Sequence, residues 1–146
     1  MEIGFDLDGT VLEQSIGLLR MMNIFGVGRD EELLKYYCTG LKMQLNPLDF
    51  IGEGDNLYFI TGRNNCTTEL TQKWAKKYFP MAKVFVLNME AKAIDNFNEV
   101  QAELKQKILN DNKIDIYFED NPKVVAMLRK LCPNTKIIHY GSRVSL

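Results

Sequence analysis

Asp6 and Asp8 stand one residue apart near the start of the chain, in the segment Phe5-Asp-Leu-Asp-Gly-Thr10. An apolar, β-prone run leads into them and Gly9-Thr10 follows, so a strand must end there and turn sharply. Two carboxylates at a strand end, with no basic neighbour in sequence, are a donor set for a hard divalent cation, most simply Mg²⁺. Three further groups have matching chemistry: Thr61-Gly62-Arg63, a set of lysines from Lys92 to Lys107, and Glu119-Asp120. Brought together, these residues suit phosphoryl transfer. One aspartate can attack phosphorus and form an acyl phosphate. A carboxyl two residues on can protonate the leaving oxygen and then deprotonate the attacking water. Mg²⁺ between the carboxylates would screen the anionic nucleophile from the anionic phosphate. A threonine hydroxyl and a lysine would hold the equatorial oxygens, where charge is spread.

These residues are far apart in sequence, so a sheet must gather them. Five short segments read as buried strands: 2–7, 56–60, 83–87, 114–118 and 135–140. Helical patterns fall between them. Leu70, Trp74 and Tyr78 recur at four-residue spacing after Thr67-Thr68, which can cap a helix. Val100, Leu104 and Ile108 do the same, and Val124, Leu128 and Leu131 follow Asn121-Pro122. Strands alternating with helices predict βαβ units, hence a three-layer, Rossmann-like α/β domain with a five-stranded parallel sheet. All its strand ends then point to one edge, where open α/β sheets bind ligands. The first crossover departs from the pattern. Residues 13–55 hold no convincing strand but two apolar helical stretches, 15–25 and 30–43, joined by Gly26-Val27-Gly28. We read 13–55 as a small helical cap inserted in a single domain of 1–146, placed to lie over the site.

Asp6-Leu-Asp-Gly-Thr10, Thr61-Gly-Arg63, a downstream lysine and Glu119-Asp120 resemble, in order, the four motifs of the haloacid dehalogenase (HAD) superfamily. The likeness spans nearly the whole chain. It implies a phosphatase with an aspartyl-phosphate intermediate and Mg²⁺ as cofactor. Asp6 then resembles the nucleophile and Asp8 the general acid/base. Thr61 and Lys105 resemble the phosphate-binding pair, with Gly62 and Arg63 beside the substrate. Asp6, Asp120 and the Asp8 main-chain carbonyl resemble the metal ligands, and Glu119 a residue orienting water on that metal. The interval from Lys105 to Asp120 resembles that of small nucleotidase-like members; Lys107 is the second choice. Asp8 favours phosphate esters over carbon–halogen bonds, since attack on carbon needs no second acid. The Phe-Ile-Thr-Gly-Arg and Tyr-Phe-Glu-Asp-Asn contexts make a nucleoside monophosphate the first substrate to consider, with sugar phosphates and polynucleotide 3′ ends beside it. A phosphate-sensing receiver module is the reading from another class; it has no use for Asp8.

Composition narrows the partners. A net charge of −1 offers no broad basic field, so a general nucleic-acid surface is not expected. No apolar run approaches membrane-spanning length, and the acidic motif begins too early for a signal peptide. Cys38, Cys66 and Cys132 are odd in number and unpaired in spacing, which fits a reducing, cytoplasmic setting. The only histidine, His139, reads as a sheet-edge residue and Trp74 as core. A short cap leaves the site open or closed by a second subunit, so a homodimer is an expectation. Met21, Met22 and Phe25 would line the cap's inner side or pack it on the core.

Overall fold

The computed structural model describes residues 1–13, 42–63, 67–87, 89 and 96–141. The helical stretches expected within 13–55, together with Met21, Met22, Phe25, Cys38, Cys66 and Lys92, lie almost wholly outside them.

Five parallel strands form one sheet: β1 (Glu2–Phe5), β2 (Asn56–Thr61), β3 (Lys83–Val86), β4 (Ile116–Glu119) and β5 (Lys136–His139), in the order β3-β2-β1-β4-β5. Phe5 lies opposite Phe59 on one side and Phe118 on the other, so β2 runs on to Thr61 and β4 to Glu119 beside the end of β1. The chain steps outward from β1 to β2 and β3, then returns to the far side of β1 for β4 and β5. The order therefore reverses between β1 and β4, and a crevice opens at their carboxyl ends. Asp6 sits there, its N–H bonded to Phe118 O.

Alternation along the strands feeds two cores. Ile3, Phe5, Leu57, Phe59 and Phe118 face helix α1 (Thr68–Tyr78), against Trp74 and Phe79. Tyr58, Ile60 and Tyr117 face α2 (Phe97–Asp111) and α3 (Pro122–Leu131), against Ala102, Leu109, Val124 and Leu128. Phe5 and Phe118 stack with ring centroids 4.5 Å apart directly behind the site. Asn121 caps α3 by accepting from Lys123 N, with Pro122 at the first helical position. Thr67 stands at the N-cap of α1 without a side-chain capping bond. Trp74 is a core residue, 4% exposed, and Cys132 is buried.

Two expectations shift. Ile114 does not begin β4. Lys113 adopts a left-handed φ of 50°, and Ile114 N–H turns back to Leu109 O, closing the end of α2. Nor does the Val100, Leu104, Ile108 stripe form the fully buried face of α2. That face is Gln101, Ala102, Lys105 and Leu109, while Leu104 is exposed. The polar residues are inside because that side of the helix meets the site.

The two described ends of the segment between β1 and β2 are tied together. Glu13 N–H bonds Lys42 O and Gln44 N–H bonds Val11 O. The Gln44 amide also donates to the Gly9 and Thr10 carbonyls. Gln44 is thus fastened to the turn that carries Asp8.

Candidate active site

β1 delivers Asp6, which is 6% exposed. After it the chain turns through Asp8, Gly9 and Thr10, held by Thr10 N–H and Leu12 N–H to Leu7 O. Thr10 Oγ1 lies 3.4 Å from Asp6 Oδ2. Gly9 needs its glycine twice over. Its φ of 87° disfavours a side chain, and a methyl there would overlap Asp120 Oδ2. β4 delivers Glu119 and Asp120, both buried. His139 at the end of β5 fixes the next turn, its Nε2 2.9 Å from Asp120 O.

Lys105 crosses from α2 and is fully buried. Its Nζ lies 3.1 Å from Asp6 Oδ1 and 2.6 Å from Glu119 Oε2. Tyr117 OH donates to Glu119 Oε2 at 3.1 Å and lies 3.2 Å from Ile60 O. Burial weakens the Lys105 ammonium, but the charges of Asp6 and Glu119 outweigh it and hold the pKa above the ordinary lysine range. Lys107, two residues on, is exposed and lines an outer groove with Val84, Val86 and Ile108.

Asp6, Glu119 and Asp120 offer oxygens all within 4.8 Å of one another. Among the described residues, one ammonium, that of Lys105, faces this cluster. Burial, then repulsion by Glu119, raises Asp6 well above the usual carboxylate range against the pull of Lys105. Burial likewise pushes Asp120 up to about 6, opposed by its contact with Asp6. Among the described residues, the buried Asp120 Oδ2 has no hydrogen-bond partner. An orphaned carboxylate oxygen, an all-oxygen donor set and excess negative charge fit a hard divalent cation.

Asp8 points elsewhere. Its two oxygens accept from Arg63 Nε at 2.9 Å and Nη2 at 2.7 Å, a bidentate pair. Arg63 Nη1 donates to Thr71 Oγ1 of α1 at 3.0 Å, and the Arg63 side chain is fully buried. Arg63, expected beside the substrate, directs its guanidinium to this acid and to Thr71. The Asp8 side chain is therefore outside the carboxylate cluster, and Glu119 is inside it. Thr61 ends β2, buried, and its Oγ1 accepts from Arg63 N–H. Gly62 packs against the Gln101 amide.

Sequence reasoning missed Tyr117, Gln44, Gln101 and Thr71. Tyr117 had a signal: it precedes Glu119 by two residues and so shares its face of β4. Gln44, Gln101 and Thr71 had none, because nothing local marks a contact made across tens of residues.

Carboxyls with raised pKa bind protons more tightly folded than unfolded. The contribution of Asp6 and Asp120 therefore falls as pH rises from about 4 through the Asp120 value of about 6. In chelator, the Tm should decline over that interval relative to the same protein in Mg²⁺. The Mg²⁺ increment should be larger at pH 7.5 than at pH 5. An increment independent of pH would dissociate the cluster from any cation.

By fold the chain is haloacid dehalogenase-like: a five-stranded parallel sheet of this order, flanked by helices, with its acidic residues at the carboxyl edge. No family model matches it. It is similar to a class B acid phosphatase of Xenorhabdus bovienii (strain SS-2004), 26% identical over 147 residues, covering 90% of this chain. The chain spans 59% of that relative's length. Among solved structures, a HAD-like family hydrolase from Porphyromonas gingivalis superposes with a TM-score of 0.59 at 11% identity, over 96% of this chain and 90% of the other. A chain of the Pnkp1/Rnl/Hen1 RNA repair complex gives 0.59 at 19% identity, over 97% of this chain and 43% of that one. Among the described residues, no helix is long and apolar enough to cross a membrane.

Proposed function

We propose that this chain is a Mg²⁺-dependent phosphomonoester hydrolase acting through an aspartyl-phosphate on a small phosphorylated metabolite. The observation that carries this is Asp6, held at the crevice by buried Lys105, with the orphaned Asp120 oxygen beside it. The likeness to an acid phosphatase supports the same reaction.

Asp6 Oδ attacks phosphorus, the new O–P bond forms, and the ester P–O bond breaks. Asp8 delivers a proton to the departing alkoxide. Water then attacks phosphorus, Asp8 takes its proton, and the Asp6–phosphorus bond breaks to release phosphate. Lys105 neutralises charge on Asp6 and on an equatorial phosphoryl oxygen, and the Thr61 hydroxyl holds another. Arg63 restricts the Asp8 carboxyl to a narrow range of orientations, and Thr71 restricts Arg63. A divalent cation held by Asp6, Asp120 and the Asp8 carbonyl would supply the charge screening that lets a carboxylate approach a phosphate.

The test is phosphate release from p-nitrophenyl phosphate, nucleoside monophosphates, sugar phosphates and an oligonucleotide 3′-phosphate, with Mg²⁺ and with chelator. The last substrate is included because one structural neighbour belongs to an RNA repair complex. Turnover should require the cation. Asp8→Asn should slow alkyl esters by roughly 10²–10⁴-fold and p-nitrophenyl phosphate by much less, because nitrophenolate leaves without a proton. Equal losses on both would remove Asp8 from the acid role.

A further inference from the structure

Gln101 carries a side-chain amide that no other described residue engages by a hydrogen bond. It is 9% exposed, on the inward face of α2, and its terminal amide packs against Gly62 in the Thr61-Gly62-Arg63 turn. Among the described residues no hydrogen bond to that amide is made. The amide is not among the fully buried polar atoms left without a partner, so its place beside Gly62 and one turn from Lys105, not a burial cost, is what marks it. The neighbours one turn away have partners of their own. Lys105 bonds Asp6 and Glu119, and Asn98 Oδ1 accepts from Asn121 Nδ2 at 2.9 Å.

Asn98, Gln101 and Lys105 lie at spacings of three and four, so they form one polar ladder along α2. The ladder meets the ends of three strands: β1 at Asp6, β2 at Gly62 and β4 at Asn121. Lys105 marks where the phosphoryl group must sit. Gln101 is four residues nearer the start of the helix, about 6 Å along its axis. That places its amide beside the part of a substrate lying beyond phosphorus, on the ester side. The phosphoryl oxygens only accept hydrogen bonds, and Lys105 and Thr61 already serve them. A carboxamide both donates and accepts, which matches a hydroxyl.

We infer that Gln101 is a specificity residue that hydrogen-bonds a hydroxyl of the alcohol esterified to phosphate, so that the site prefers polyhydroxylated esters, sugar or nucleoside phosphates, over aryl ones. This rests on the phosphatase reading and adds the substrate class to it.

Gln101→Met keeps the volume and removes the amide. The expected result is that kcat/KM for ribose 5-phosphate falls roughly 10–100-fold more than kcat/KM for p-nitrophenyl phosphate. Gln101→Asn, which keeps the amide but withdraws it, should show a smaller loss of the same sign. Equal falls on the two substrates, or none on either, would overturn the inference and leave Gln101 a packing residue. If the wild-type chain turns over neither compound, the phosphatase reading fails on its own. Calorimetric binding of ribose 5-phosphate against inorganic phosphate then decides the inference: Gln101→Met should remove the tighter binding of the sugar ester. Binding of the two that does not differ in wild type, or differs equally in the variant, would overturn it.

Discussion

Asp6→Asn will release phosphate at least about 10⁴-fold more slowly than wild type and will melt no lower in the absence of divalent cations. The first half follows from the chemistry: an amide oxygen is too weak a nucleophile to displace an alkoxide from phosphorus. The second follows from the electrostatics of the cluster. Asp6, Glu119 and Asp120 crowd within 4.8 Å beside the Lys105 ammonium, and burial already holds Asp6 well above the ordinary carboxylate range. Replacing it by a neutral isostere removes one repelling charge, while Lys105 keeps its 2.6 Å bond to Glu119. An active site that costs stability is expected where charges are gathered for a ligand. Adding Mg²⁺ should reverse the order of melting, since the variant loses a ligand that the wild type keeps. Thermal unfolding of both proteins in chelator and in Mg²⁺, beside phosphate release, measures all of this. A variant that keeps turnover would end the nucleophile assignment. One that melts well below wild type in chelator would show Asp6 to be a structural anchor.

What was readable in the sequence is what is local. Asp6 and Asp8 are marked by two residues of spacing and a Gly-Thr turn. The strands are marked by apolar runs that parallel sheets bury on both faces. Where the reading failed, an interaction at long range overrode a local pattern. The stripe Val100, Leu104, Ile108 is a sound amphipathic signal, yet α2 turns Gln101 and Lys105 inward because Lys105 has two carboxylates to meet. Hydrophobic periodicity cannot register that a lysine's partners lie on other strands. Asp8 gave no hint that Arg63, 55 residues on, would take both its oxygens. Glu119 looked like a companion to Asp120 and proved to be the tighter partner of Lys105. Such departures from pattern are expected at a site, where chemistry and packing compete for the same positions.

The choice between Lys105 and Lys107, which sequence spacing alone leaves open, has a thermodynamic answer. Lys105→Met should destabilise the fold by about 3–5 kcal/mol, because it strands two buried carboxylates that the ammonium now joins. For a chain of this length that lowers Tm by roughly 10 °C. Lys107→Met, on an exposed face, should change it by less than about 0.5 kcal/mol. The loss at Lys105 should shrink as pH falls from 8 to 5, since protonating Asp6, whose pKa burial already raises, removes one of the charges left unpaired. The double variant Lys105→Met/Glu119→Gln separates the two roles of the lysine. It removes the cation and one of its anions together, so it should recover much of the lost stability. It should recover none of the lost turnover, because the phosphoryl oxygens still lack their ammonium. Recovery of both would make Lys105 a counter-ion for Glu119 and nothing more. Recovery of neither would mean that Glu119 is itself required, through Tyr117 or through a bound cation, for the crevice to hold its shape.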